Sequence, residues 1–246
     1  MTLPKNVMPV YTVTIPSTKD AYKYRPYVVK EEKALLVAQQ SENIGVILDT
    51  IKDIIKECSQ TPLDIDSLAS FDIEYLFLML RAKSVGEVVT LVFPCDVDHG
   101  KDNKKAKASV DVNVEQANVI FPENQKNKIE LFGTVGIMMK YPSFETLKKL
   151  ELIQTKAENS KEQQDMMYDI IIDCINYVYD ADQVYPAKDV PKEELKDYID
   201  NLTNAQFTDI LAFFQSIPAV RIDVEYDCPV CQLHHKKYIE GLSSFF

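Results

Sequence analysis

The sequence predicts an α+β protein with a helical N-terminal module, a small antiparallel sheet and an acidic helical insertion. Three observations lead there. Apolar residues recur at helical spacing up to about position 81, alternate as in strands after Gly86, and return to helical spacing beyond Tyr141-Pro142. A second return to strand alternation follows Pro218, so the last helical block lies between two stretches that read as sheet. The whole chain has 246 residues, of which 46% are hydrophobic, enough to fill a core without covalent staples.

Taken in order, Val10–Ile15 reads as a strand and Pro16–Lys19 as a turn, because proline fixes its own φ and the polar residues close the chain locally. Tyr22–Val29 alternates aromatic and basic residues. It resembles a base-stacking platform, but without a wider basic surface it reads better as a protein contact or an edge strand. Helices are expected over Lys30–Gln40, over Ile44–Ile55 and over Phe71–Arg81, the last two on the spacing of Ile44, Ile47, Leu48, Ile51, Ile55 and of Ile73, Leu76, Phe77, Leu80. Gly86 interrupts this pattern, and Val88–Phe93 is a β-branched run that enters Pro94-Cys95 as a strand. A lysine-rich exposed loop over 101–107, a strand over Ala108–Val114 and a pair of strands around Gly133 and Gly136 complete the middle. Helices are then expected over Phe144–Leu152, Gln163–Tyr179, Lys192–Leu202 and Ala205–Ile217, with Ser143 and Thr203 as N-caps. Three units follow: 1–86, then 87–142 together with 219–246 as one sheet, and 143–218 as the insertion.

Charge narrows the function. Thirty-eight acidic against 27 basic side chains give a formal charge of −11, which repels phosphate backbones and argues against direct nucleic-acid binding. Thirteen Asp or Glu and five Lys fall within 151–200, so the insertion carries much of that charge and suits protein partners. No apolar run approaches the ~20 residues of a membrane span, and the first five residues lack the features of a secretory signal. Catalytic signatures are also missing: there is no phosphate-cradling glycine loop, no nucleophile elbow and no His-Glu-x-x-His helix.

Cys228-Pro229-Val230-Cys231 is the motif with chemical content. Two thiolates three positions apart at a strand end can share one tetrahedral Zn²⁺ as a zinc-ribbon knuckle. Cys95, with His99 four positions on, is the best completion, and Asp98, His234 and His235 are further candidates for the fourth position. The competing reading has these cysteines packed as small apolar residues at a turn. A redox pair fits less well, since a low-pKa thiolate ordinarily needs a helix N-terminus and this motif follows a strand. Cys58 and Cys174 sit in apolar helical patterns and are expected in the core. A hydrolytic site would need Glu225 or Asp227 as a base, where solvated strand carboxylates explain both better.

Five phrases stand out: Ile15-Pro16-Ser17-Thr18, Tyr24–Leu36, Phe71–Glu87, Met139-Lys140-Tyr141-Pro142 and the ending from Cys228 to Phe246. Together they resemble the baseplate hub protein family of T-even-like contractile-tailed bacteriophages, which includes a hub component and a hub-assembly catalyst. In that family a second cysteine often stands three positions after the one matching Cys95, where this chain has Asp98. The resemblance implies a protein without an enzymatic step, made in the host cytoplasm and acting on hub and tail proteins, either retained in the virion baseplate or released after assembly. A zinc-ribbon regulator of a nucleic-acid machine and a metal-dependent hydrolase are the alternatives.

Overall fold

The computed structural model describes residues 7–99, 106–146, 148–149 and 161–241. Within them the mixed α+β architecture is as expected, with helices leading and several small antiparallel sheets following.

Strands β1 (Tyr11–Thr14) and β2 (Ala21–Tyr24) form a hairpin that covers the first helices. The turn between them spans the expected Pro16–Lys19, where Lys19 takes a left-handed φ of 65°. Strand periodicity turns Tyr22 and Tyr24 inward and Lys23 outward. The Tyr22 hydroxyl donates to Ile55 O at 2.8 Å. The aromatic residues of this segment therefore serve the core and not a partner surface, although the strand does sit at a sheet edge.

Helix α1 (Val29–Gln40) starts where Glu31 reaches back to accept from the Val28 amide at 2.9 Å, its carboxylate also held by Arg25 at 3.0 Å. Helix α2 (Ile44–Cys58) is capped by Asn43 and buries Leu48, Ile51, Ile54, Ile55 and Cys58 along one stripe. Helix α3 (Ser70–Ser84) is buried nearly all round, through Phe71, Ile73, Leu76, Phe77, Leu78 and Leu80, and forms the centre of the first core. Asp72 in its first turn is buried, and accepts from the amides of Ser17 at 2.9 Å and Ala69 at 3.2 Å. Gly86, at φ 143°, ends this helical part.

Two small sheets follow. Strands β3 (Val88–Pro94) and β4 (Lys107–Asn113) form one, and β5 (Asn118–Ile120), β10 (Ala219–Asp227) and β11 (His234–Glu240) form the other in the order β11-β10-β5. They pack on each other through Phe93 and Tyr226, whose rings lie 5.2 Å apart, and add Val112, Val220, Ile222 and Val224 to the first core. Of the lysine-rich stretch, 101–105 lie outside the described residues and Lys107 opens β4.

The second core lies in a four-stranded antiparallel sheet, β6 (Lys128–Phe132), β7 (Val135–Met139), β8 (Ile175–Tyr179) and β9 (Val184–Pro186), with helices α4 (Lys161–Asp173), α5 (Lys192–Asp200) and α6 (Asn204–Gln215). One expectation is corrected here. Gln163–Tyr179 is not a single helix: α4 ends at Asp173, and the Cys174 carbonyl accepts from Lys140 N at 2.8 Å, so the chain joins β7 as β8. Ile175, Tyr177, Val178 and Tyr179 are β-branched or aromatic, and the neighbouring strand gives their backbone a ladder to join. The helix expected at Phe144–Leu152 is helical at 144–146 and 148–149, with Ser143 accepting from the Thr146 amide as its cap. Its remaining positions, and the terminal Phe245-Phe246, lie outside the described residues. Thr203 caps α6 with Gln206 in a reciprocal box. Cys58 and Cys174 are fully buried, as expected. Tyr141 and Ile217 pack against both cores, and Ser70 N donates to Pro142 O at 2.9 Å across the seam.

Candidate metal centre

Two strand ends meet at one edge of the paired sheets. β3 delivers Cys95, whose amide donates to Ala106 O at 2.7 Å, and the tight β10–β11 turn delivers Cys228 and Cys231. The turn closes by Cys228 N to Leu233 O and Gln232 N to Cys228 O, both 2.9 Å, and needs Gln232 at φ 58°. At each knuckle an amide two residues on faces the sulfur, Val97 N at 3.5 Å from Cys95 Sγ and Val230 N at 3.4 Å from Cys228 Sγ.

One donor atom from each of Cys95, His99, Cys228 and Cys231 lies within 4.8 Å of every other. Cys95 Sγ and Cys231 Sγ are 3.9 Å apart although 136 positions separate them, and Cys228 Sγ is 3.5 Å from His99 Nε2. A tetrahedron with a Zn–S length of about 2.3 Å sets sulfurs about 3.8 Å apart, and a sulfur and an imidazole nitrogen about 3.5 Å apart. These two edges have the lengths of a tetrahedral ion site, whereas a disulfide would need about 2.05 Å, and all five cysteines are free. The backbone amides of Cys231 and Val230 hold the Cys228 thiol down at about 6, so a thiolate is available at neutral pH. At Cys95 the Val97 amide favours the thiolate, but burial and hydrogen bonding to the other two thiols outweigh it and raise its value. Such a cluster can hold a metal ion such as zinc.

Of the other candidates, Asp98 and His234 lie outside the four-donor group and His235 borders it. Asp98 is exposed and outside the four-donor group. His234 points outward, with Nδ1 2.9 Å from Asp227 and Nε2 3.6 Å from Glu225. Glu225 is paired with Lys236 at 2.6 Å, so both carboxylates proposed as hydrolytic bases have partners away from the cluster. His235 is buried, its ring stacked on Tyr226 at 4.9 Å, and its Nε2 stands 3.3 Å from Cys95 Sγ. Its Nδ1 faces Asp96 at 3.6 Å, and Asp96 is held by Lys237 at 2.8 Å, which keeps that carboxyl below its usual range. Sequence reasoning offered His235 as a ligand and missed this supporting contact. Its signal was the β10–β11 alternation, which places His235 opposite the inward Tyr226.

Residues 8–246 match the T4 bacteriophage base plate protein family. The chain belongs to that family. No curated protein and no solved structure matches it. For this baseplate protein the whole cluster falls within the matched span, and among the described residues no helix is long and apolar enough to cross a membrane.

Proposed function

We propose that this baseplate protein is a non-enzymatic hub component or hub-assembly factor that acts through protein–protein contacts with hub and tail proteins. The observation that carries the reading is the family match over 8–246, to which the hub-like phrases of the sequence add the finer assignment. The site supports it. Cys95, His99, Cys228 and Cys231 would fill all four positions of a Zn²⁺ ion, and a closed set of protein ligands suits a structural role better than a hydrolytic one, which keeps a position open. Held there, the ion would fix the end of β3 to the β10–β11 turn and so keep the two small sheets in one arrangement. The acidic block 143–218 would then be the partner-facing part. Assembly takes place in the host cytoplasm.

A pull-down with the full-length tagged chain from phage-infected cells tests this reading. It predicts co-purification of baseplate hub and tail proteins. Recovery of polymerase subunits without tail proteins would overturn it in favour of a zinc-ribbon regulator. The same chain in purified virions marks a retained subunit, and its presence only in the lysate marks a released assembly factor.

A further inference from the structure

The three thiols of the metal centre are not alike. Cys95 and Cys228 are buried, while Cys231 is exposed on the β10–β11 turn. The Cys228 sulfur is anchored, with the Val230 amide at 3.4 Å and His99 Nε2 at 3.5 Å. Cys231 Sγ stands 3.9 Å from Cys95 Sγ, across the gap between the turn and the end of β3. A solvent-facing thiol beside a sheltered one is the arrangement in which an oxidant reaches the first and the second resolves it. Cys58 and Cys174 are buried in the two separate cores and take no part.

A disulfide holds its sulfurs at about 2.05 Å, so closing this pair calls for an approach of about 2 Å. Cys231 is the member placed to make it, since its side chain is exposed on a turn while the Cys228 sulfur is held. We propose that Cys95 and Cys231 form a redox-closed cross-link, a disulfide that oxidising surroundings make between the two strand ends an ion would otherwise join. The inference rests on the reading of the cluster as a clamp between β3 and the β10–β11 turn. The oxidant is a peroxide. The Cys231 thiolate attacks one peroxide oxygen, the O–O bond breaks, and hydroxide leaves and is protonated to water, with Cys231 now the sulfenic acid. The Cys95 thiolate then attacks that sulfur, forming the S–S bond and expelling a second hydroxide that is protonated to water. Two electrons have passed from the two sulfurs to the peroxide. Closing the bond withdraws two of the four donors, so cross-link and bound ion exclude each other. Reducing conditions in the host cytoplasm keep the thiols free, and oxidising surroundings replace one clamp by the other.

The test oxidises the full-length chain, freed of reductant, with a small excess of hydrogen peroxide and maps the product by tandem mass spectrometry without reduction. Cys95 should be joined to Cys231 within one chain, with the loss of two hydrogens. Cys228→Ser gives a second measurement, because it removes a metal donor and the rival partner of Cys231 but keeps the proposed pair. Its denaturation midpoint should rise on oxidation and fall back with dithiothreitol, and Cys231→Ser should show no such rise. A Cys228 to Cys231 bond as the main product, an over-oxidised Cys231 beside a free Cys95, or an oxidised Cys228→Ser no more stable than its reduced form would each overturn the proposal. Protein purified without metal that still forms the bond sinks the zinc reading alone. Zinc-loaded protein that keeps Cys95 and Cys231 apart under peroxide sinks this inference alone.

Discussion

The two cores of this protein bury their residues in different ways. In the first, α3 is apolar on almost every side and sits among the tyrosine hairpin, α2 and the paired sheets, and a Cys/His cluster that can hold a metal ion lies at the outer edge of those sheets. In the second, α5 keeps Leu195 and Ile199 inside and sets Glu193, Glu194 and Asp197 in water around a sheet of four short strands. The first region buries its central helix from almost all sides, whereas the second keeps one wet acidic helix face.

Core truncations should break the comparison most visibly. Leu80→Ala, within α3, should cost about 3–5 kcal/mol and unfold the whole chain at lower denaturant, while Ile210→Ala should cost about 2–5 kcal/mol and loosen 128–215 first. Hydrogen exchange resolves the two, and simultaneous loss of protection in both regions would show a single cooperative unit. Asp72→Ala leaves the amides of Ser17 and Ala69 without their acceptor, an expected loss of about 3 kcal/mol seen as a lower denaturation midpoint. A methyl group at Gly136 would stand 2.2 Å from the Tyr179 hydroxyl and 2.5 Å from Ile129 O. Gly136→Ala should therefore cost about 1–3 kcal/mol in the second region and leave exchange in α3 unchanged. The smallest effect concerns Asp173. Burial opposes its ionisation, but hydrogen bonds from Lys149 and Lys192 outweigh that and hold its carboxyl below the usual value of 3.8. A depressed folded value means stability that is present above 3.8 and lost as pH falls through the folded value. Asp173→Asn should remove at most about 1 kcal/mol near neutral pH, and the difference from the parent should vanish at acid pH in parallel melts.

The same contrast explains what the sequence disclosed. Helix α2 and strand β10 each bury one stripe or face, so their spacing shows in the residues, and Cys228-x-x-Cys231 announces itself by local geometry. Cys95 and His99 were legible as partners because cysteines and histidines are few, although their meeting depends on β3 and β10 packing together. β8 was hidden: Ile170–Ile172 and Ile175 continue a helix-like apolar run, and the strand exists only because β7 offers a pairing edge. β9 and β5, three residues each, are too short for periodicity to register. The tyrosines of β2 turn inward on its period of two, and the segment is the edge strand that one of its two readings gave. His235 is buried through its register with Tyr226, which the alternation of β10 and β11 carries only once the two strands are paired.

Elemental analysis of the purified full-length protein tests whether a metal ion joins the end of β3 to the β10–β11 turn. About one zinc per chain is expected, lost in Cys228→Ser and reduced in His99→Ala, with the parent destabilised by a chelator because ligand binding and folding are linked. His235→Ala should keep the metal with weaker affinity, as expected of a residue that supports Cys95 without coordinating. A native protein free of metal and fully stable in the presence of chelator would contradict the account, and would leave the cluster as a packed turn.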